Sequence, residues 1–289
     1  MIVVTGATGH LGRAIVQQLA RRVPSGQVGV SVRDPAKAAD LEALGVRVRQ
    51  GDFNDPDGLK HAFEGAEQVL NVSSNARASG GNPLAQHRSA IDAARAVAAK
   101  RIVYTSHMAA SGSSAFPPMH DHAATEDMLR QSGLAWTALR HGFYAASGIA
   151  MMGDAIATGT LETAADGKFS WAAHADLAEA AAIILADECQ YHGPTPPLTG
   201  SQALDFADLA AIASELLDKP IHRRILTDEE MRAKIAARGA PTRAVDTVMG
   251  LYIAARNGEF ASIDPTLERR LLDRRPISMR DLIAQKIGS

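Results

Sequence analysis

Gly6, Gly9 and Gly12 are spaced three apart in Gly6-Ala7-Thr8-Gly9-His10-Leu11-Gly12. The apolar run Met1-Ile2-Val3-Val4-Thr5 precedes them, and Arg13 to Arg22 follows with Ile15, Val16 and Leu19 at helical spacing. A turn of this kind can hold a pyrophosphate. Gly6 permits a sharp turn off a strand, Gly9 leaves room for a phosphate against the backbone, and Gly12 lets the helix lie close to the strand. The helix N-terminus then offers unsatisfied N–H groups and the positive end of its dipole. Thr8, His10 and Leu11 complete the turn. Its place between a strand and a helix separates it from a chance glycine triplet. The alternative is a tight strand-to-helix turn with no ligand.

Four further clusters follow predicted strands. Val30-Ser31-Val32 runs into Arg33, whose forked guanidinium matches a ribose 2′-phosphate, with Lys37 one turn on. Asp34 offers the opposite choice, a ribose 2′-hydroxyl, or it caps the turn that begins at Pro35. The residues therefore favour NADPH and leave NADH possible. In Gly51-Asp52-Phe53, Asp52 is placed to accept from an adenine amine, or Asp52 and Asp55 serve only to cap the next helix. Ser73, Ser74 and Asn75 are small and polar, leaving room for ribose and phosphate. Tyr104 and Ser106 come at the depth a nicotinamide would reach and, with Ser73, Ser74 and Asn75, would line the ribose–nicotinamide path. His120 and His122 form an H-x-H pair without a third or fourth ligand at sensible spacing, so no metal is expected.

Elements that position these clusters alternate through the first half: strands at 2–5, 27–32, 46–50, 68–72 and 101–105, helices at 11–22, 35–44, 55–63 and 83–99. Such alternation predicts an α/β fold, a Rossmann-type doubly wound parallel sheet. A helix continuing over 126–132 and a sixth strand at 135–139 follow. An Ala/Ile-rich helix at 176–186 is expected to lie on the sheet, and Gly193-Pro194-Thr195-Pro196-Pro197 to break the chain. Helical patterns at 206–217, 227–237, 245–257 and 267–287 predict a smaller, mostly helical C-terminal lobe. The expected division is a dinucleotide-binding domain over 1–150, with 170–190 packing back on it, and a substrate-covering lobe over 195–289.

Composition narrows the classes. The 289 residues carry a formal net charge of -2 and only 4% aromatics, which argues against nucleic acid or an anionic membrane surface as partner. The single cysteine, Cys189, excludes an intrachain disulfide, fits a reducing compartment, and reads as buried or incidental. No signal segment or membrane-length apolar run is evident, so a cytoplasmic location is expected. Glu268-Arg269-Arg270 with Arg274-Arg275 reads as a solvated basic face. Oligomeric state is not legible.

The glycine turn, Val32-Arg33-Asp34 and Gly51-Asp52-Phe53 together resemble the atypical short-chain dehydrogenase/reductases of the NmrA-like family. Within it, the chain looks like the group of type 2 NAD(P)H:quinone oxidoreductases and triphenylmethane reductases. His122-Ala123-Ala124-Thr125-Glu126, Leu139-Arg140-His141-Gly142-Phe143-Tyr144, Leu198-Thr199-Gly200 and Phe206-Ala207-Asp208-Leu209-Ala210 extend the resemblance over nearly the whole chain. His141 departs from the Asn often found before that glycine. The resemblance implies NADPH binding, a cleft beside the sheet's carboxyl edge, and hydride transfer to a quinone or flat conjugated dye. Non-enzymic NADP-sensing regulators of NmrA type are the alternative. No Tyr-x-x-x-Lys lies between Ser106 and Leu139, which disfavours acid-assisted carbonyl reduction. His122 is then the candidate catalytic group, as positioner or proton donor, unless it faces solvent. Phe143 and Tyr144 would face a flat substrate, unless they only pack between lobes.

Overall fold

The computed structural model describes residues 1–186 and 191–288. Cys189, expected to be buried or incidental, lies outside the described residues. The chain divides into two compact units. Unit 1 comprises residues 1–106, 121–140 and 174–196, and unit 2 comprises 107–120, 141–173 and 197–289.

Six strands of the main sheet are β1 (Ile2–Thr5), β2 (Val28–Val32), β3 (Arg47–Gln50), β4 (Gln68–Asn71), β5 (Arg101–His107) and β6 (Ala135–His141). The seventh, Gly193–Pro194, falls where the sequence predicts a break. Proline is tolerated there because the strand is at the edge of the sheet and pairs on one side only. Thr195 N–H also donates to Ala138 O at 2.9 Å, and the Thr137 hydroxyl to Tyr191 O at 2.6 Å, so the segment is drawn onto β6 from both ends. Across the sheet the order is Gly193–Pro194, β6, β5, β4, β1, β2, β3. The registers on β1, β2 and β4, and that of Gly193–Pro194 on β6, are parallel. From β1 the chain runs outward to β3, then crosses to β4 and runs the other way. The switch between β1 and β4 is where a doubly wound sheet opens a crevice at the carboxyl ends of its strands.

The helices are α1 (His10–Leu19), α2 (Ala39–Glu42), α3 (Pro56–Phe63), α4 (Pro83–Ala96) and α5 (Pro118–Arg130). Asp55 accepts from Gly58 N–H and Asn82 from Ala85 N–H, each with Pro in the first turn, which starts α3 and α4 cleanly. One face of the sheet is filled by Leu59 and Phe63 of α3, Ala90, Ile91 and Ala94 of α4, and Leu129 of α5, against Val3, Val69, Ile102 and Tyr104. On the opposite side α1 lies against the helix His174–Ala186, and just beyond the end of α1 Arg22 pairs with Glu179 of that helix at 3.0 Å. That helix begins two residues before the predicted start.

Unit 2 holds the helices Phe206–Leu217, Asp228–Ala236, Thr242–Arg256 and Met279–Ile287, with shorter ones at Ala145–Met151 and Ala155–Thr158. Reciprocal capping boxes at Asp205/Asp208, Thr227/Glu230 and Ser278/Asp281 fix three of their starts. Its core gathers much of the chain's scarce aromatic content, with Phe169 stacked on Trp171 at 4.8 Å and on Phe260 at 5.4 Å. Short strands at Phe143–Tyr144, Phe169–Ala172 and Ala203–Leu204 form one small sheet, and Thr160–Ala164 pairs with His222–Leu226. Among the described residues no helix is long and apolar enough to cross a membrane.

Candidate functional site

In unit 1 the turn between β1 and α1 has the geometry its glycines suggest. Gly6 has φ +62°, a left-handed conformation that L side chains rarely adopt. A Cβ on Gly12 would lie 2.4 Å from Gly6 O and 3.1 Å from Ala7 Cα, so the helix could not approach this closely with any side chain there. Gly9 donates to Gly6 O at 3.0 Å and is the N-cap of α1, but no side chain caps the helix. Its first-turn N–H groups therefore have no side-chain acceptor, the condition for an anion site. Thr8, Gly9 and His10 are exposed, while Leu11 and Gly12 are buried against the fold.

Arg33 directly follows β2. Its backbone O accepts from Gln50 Nε2 at 3.3 Å, and among the described residues its exposed guanidinium has no partner. Asp34 accepts from Ala36 N–H at 3.2 Å and lies 3.8 Å from Lys37 Nζ. It thus caps the turn at Pro35, which is the second of its two sequence readings. Arg13 of α1 donates to Lys37 O at 2.7 Å and also pairs with Asp40, holding α1 to the segment after Arg33. Asp52 accepts from Asn54 N–H at 2.8 Å through Oδ1, bracing the turn after β3, while Asp55 caps α3. Phe53 is half-buried against the α3–α4 core.

After β4, Ser73 N–H donates to Thr105 Oγ1 at 2.7 Å and Ser74 N–H to His87 Nε2 at 2.9 Å. The Ser74 hydroxyl donates to Gln86 Oε1, and Asn75 is exposed. Gly6, Arg33, Asp52 and Ser73 all follow carboxyl ends of parallel strands, so the topology brings these four clusters to one edge of the sheet.

Tyr104 and Ser106 point into the interior. Tyr104 is 0% exposed; its hydroxyl lies 2.9 Å from His122 Nδ1 and its ring meets His87 edge-on at 5.1 Å. The Ser106 hydroxyl donates to Glu126 Oε1 at 2.7 Å, and Glu126 is also gripped by Arg140. His122 therefore does not simply face solvent. Burial pushes it down to about 4, against the opposing pull of Asp121 and Glu126. The shift favours the neutral ring at pH 7. His120 belongs to unit 2, where its Nε2 lies 2.7 Å from Ser114 O.

Phe143 and Tyr144 lie in unit 2. Phe143 meets Phe260 at 4.9 Å and His107 at 5.0 Å, both edge-on, within the aromatic core. Tyr144 is 6.3 Å from the His141 ring, and burial pushes its phenol up to about 12.

Several residues that sequence reasoning passed over complete the unit 1 cluster. His87 shares the buried face of α4 with Pro83, Ala90, Ile91 and Ala94. A histidine on an apolar stripe is the signal that could have found it. Its Nδ1 lies 2.8 Å from Thr125 Oγ1, whose hydroxyl donates to Asp121 O at 2.7 Å. Arg77 clasps Asp121 through Nε–Oδ2 at 2.7 Å and Nη2–Oδ1 at 2.5 Å.

Residues 6–188 match the family model described as NAD(P)H-binding. The chain belongs to this family. The quinone oxidoreductase 2 of Escherichia coli is 34% identical over 93% of this chain and 93% of its own. The crystal structure of NADPH-dependent quinone oxidoreductase from Escherichia coli, complexed with NADPH, superposes with a TM-score of 0.91 at 33% identity, covering 99% of both chains. The Citrobacter triphenylmethane reductase complexed with NADP(H) gives a TM-score of 0.88 at 29% identity over 99% of this chain and 100% of that one. These likenesses bear out the family and the Rossmann-type fold read from the motifs. The residues fit the cofactor of the family: Gly12 lets α1 pack close against the β1 turn, α1 has no side-chain N-cap, and among the described residues the Arg33 guanidinium has no partner beside the same edge.

Proposed function

We propose that this protein is an NADPH-dependent reductase that passes hydride directly to a quinone or a flat, conjugated, dye-like acceptor. By its family and relatives the chain is an NAD(P)H-dependent oxidoreductase. NADPH, when bound, supplies the hydride. In this reading Gly6, Thr8, Gly9, His10, Leu11 and Gly12 hold the pyrophosphate with backbone N–H groups. Arg33 holds the 2′-phosphate, and Asp52, through the oxygen Asn54 does not use, receives the adenine amine, with Phe53 beside it. Ser73, Ser74 and Asn75 line the ribose path. Tyr104 and Ser106 stand behind it and set the position of His122 and Glu126.

The observation that carries the choice of acceptor is the neutral His122 held by the Tyr104 hydroxyl. An efficient general acid has a pKa near the working pH, and this ring lies well below it. A group so tuned orients by hydrogen bonding and is a poor source of a proton. Quinones and cationic dyes suit such a site, because their negative charge is delocalised or a positive charge is cancelled as hydride arrives. Phe143 and Tyr144 are the aromatic surfaces proposed for a flat acceptor. A small-molecule acceptor and a cytoplasmic setting, where NADPH is supplied, complete the proposal.

The test is NADPH oxidation at 340 nm with a panel of quinones, azo dyes and triphenylmethane dyes. Turnover with at least one class is expected. NADPH binding with no oxidation by any of them would replace this reading with the NADP-sensing one.

A further inference from the structure

The turn that leaves β4 is held by α4 and α5. Ser74 presents its backbone N–H to His87 Nε2 at 2.9 Å, so that nitrogen must be the acceptor and carry no hydrogen. The imidazole hydrogen then resides on Nδ1, where Thr125 Oγ1 at 2.8 Å accepts it. Thr125 can accept because its own hydroxyl hydrogen is committed to Asp121 O at 2.7 Å. Each hydrogen in the chain Ser74, His87, Thr125, Asp121 thus has one assigned direction. Protonating His87 would set an N–H against the Ser74 N–H. Burial, aided by the charge His122 would carry, pushes His87 down to about 3, in keeping with that polarity. A second tie runs in parallel, from Arg77 on the same turn to Asp121.

We infer that His87 is a positioning residue for cofactor binding: as the neutral Nδ1–H tautomer it fixes the Ser74 backbone at the carboxyl end of β4 and, through Thr125, locks that turn to the helix bearing His122. The inference rests on the proposed NADPH reading, because its consequence is felt where Ser73 and Ser74 line the ribose path. His87 itself touches no ligand. Its effect falls on a part of the cofactor that NADPH and NADH share, unlike that of Arg33.

Three variants test it. His87→Phe fills the space without an acceptor. His87→Gln restores an oxygen near the Nε2 position. Thr125→Val removes the Nδ1 partner at nearly constant volume, and keeps the test available if His87→Phe does not fold. Amide hydrogen exchange of Ser74 is read without cofactor, and NADPH and NADH affinities by calorimetry. Loss of one anchoring hydrogen bond should speed Ser74 exchange about tenfold and weaken both cofactors by about three- to tenfold in His87→Phe, with a smaller loss in Thr125→Val and recovery in His87→Gln. Unchanged Ser74 exchange in His87→Phe and Thr125→Val overturns the anchoring. Faster exchange with unchanged affinities overturns the positioning role. A wild type with a protected Ser74 amide that binds neither cofactor overturns the inference through the reading it rests on.

Discussion

Glu126 and Arg140 form a two-point ion pair, Nε–Oε1 at 3.1 Å and Nη2–Oε2 at 2.7 Å, with the glutamate side chain 4% exposed and the arginine 31%. The pair joins two of the segments through which the sequence resembles its family, one on α5 and one on β6. Removing one partner of a buried pair costs more than the pair's net worth, because a charge is stranded. Arg140→Met leaves Glu126 with the Ser106 hydroxyl. The partial exposure of the arginine moderates the cost, which is expected at about 1–3 kcal/mol by urea unfolding. Glu126→Gln still accepts from Ser106 and should cost less. Equal costs for the two variants would mean that charge is not what holds this contact.

Gly9 and Gly12 should fail differently. A Cβ on Gly9 meets only Gly6 O, at 3.3 Å, and the residue is exposed. Gly9→Val is expected to fold and to lose NADPH binding, because the branched side chain occupies the pyrophosphate space. Gly12→Ala puts a Cβ into the β1–α1 backbone and should destabilise the fold by about 1–3 kcal/mol as well. Calorimetry and thermal melting separate the two effects. A folded Gly9→Val protein with unchanged NADPH affinity would remove the cradle from the account.

Arg33→Ala is expected to weaken NADPH by roughly tenfold to a hundredfold and NADH hardly at all, since a charge-assisted hydrogen bond is typically worth about 1.5–3 kcal/mol. The side chain has no other described partner to lose, so stability should hold. Equal weakening of both cofactors would show that Arg33 does not read the 2′-phosphate.

Acid should loosen the fold through two histidines. His87 is held down to about 3 and His122 to about 4, against an ordinary value of 6.5. Between pH 6.5 and 4 the unfolded chain takes up protons that the folded chain refuses. Stability therefore falls as pH drops through that window, by up to about 1.4 kcal/mol per unit for each ring, and is not drawn down by these groups above it. Urea midpoints at pH 7 and pH 5 measure the slope. His87→Gln should reduce it, and an unreduced slope would assign the acid sensitivity elsewhere.

The sheet was legible in the sequence because short β-branched runs alternated with capped helices. Ile2–Thr5 and Phe206–Leu217 fall on their predicted bounds. Gly193–Pro194 was not legible as a strand, because its place depends on Tyr191 and Thr195 being tied to β6, a contact made across more than fifty residues. Among site residues, those whose signal is local, the glycine turn and Arg33, could be read from spacing. The bonds of His87 to Ser74 and Thr125, and of Arg77 to Asp121, join distant segments and leave no periodic trace. Tyr104 and Ser106 were placed at the right strand, but which face of β5 they occupy follows from α4 and α5 packing beneath it.

Direct hydride transfer to an acceptor that needs little proton help can be followed by single-turnover kinetics with C4-deuterated NADPH and a simple quinone. With added flavin and metal excluded, the bound reduced nucleotide should be consumed, and deuterium at the transferred position should slow that step. His122→Ala should lower the rate only modestly, well below the top of the roughly 10²–10⁴-fold range of general acid catalysis. Tight NADPH binding with no absorbance loss at 340 nm, for the quinone and for cationic dyes alike, would contradict the account.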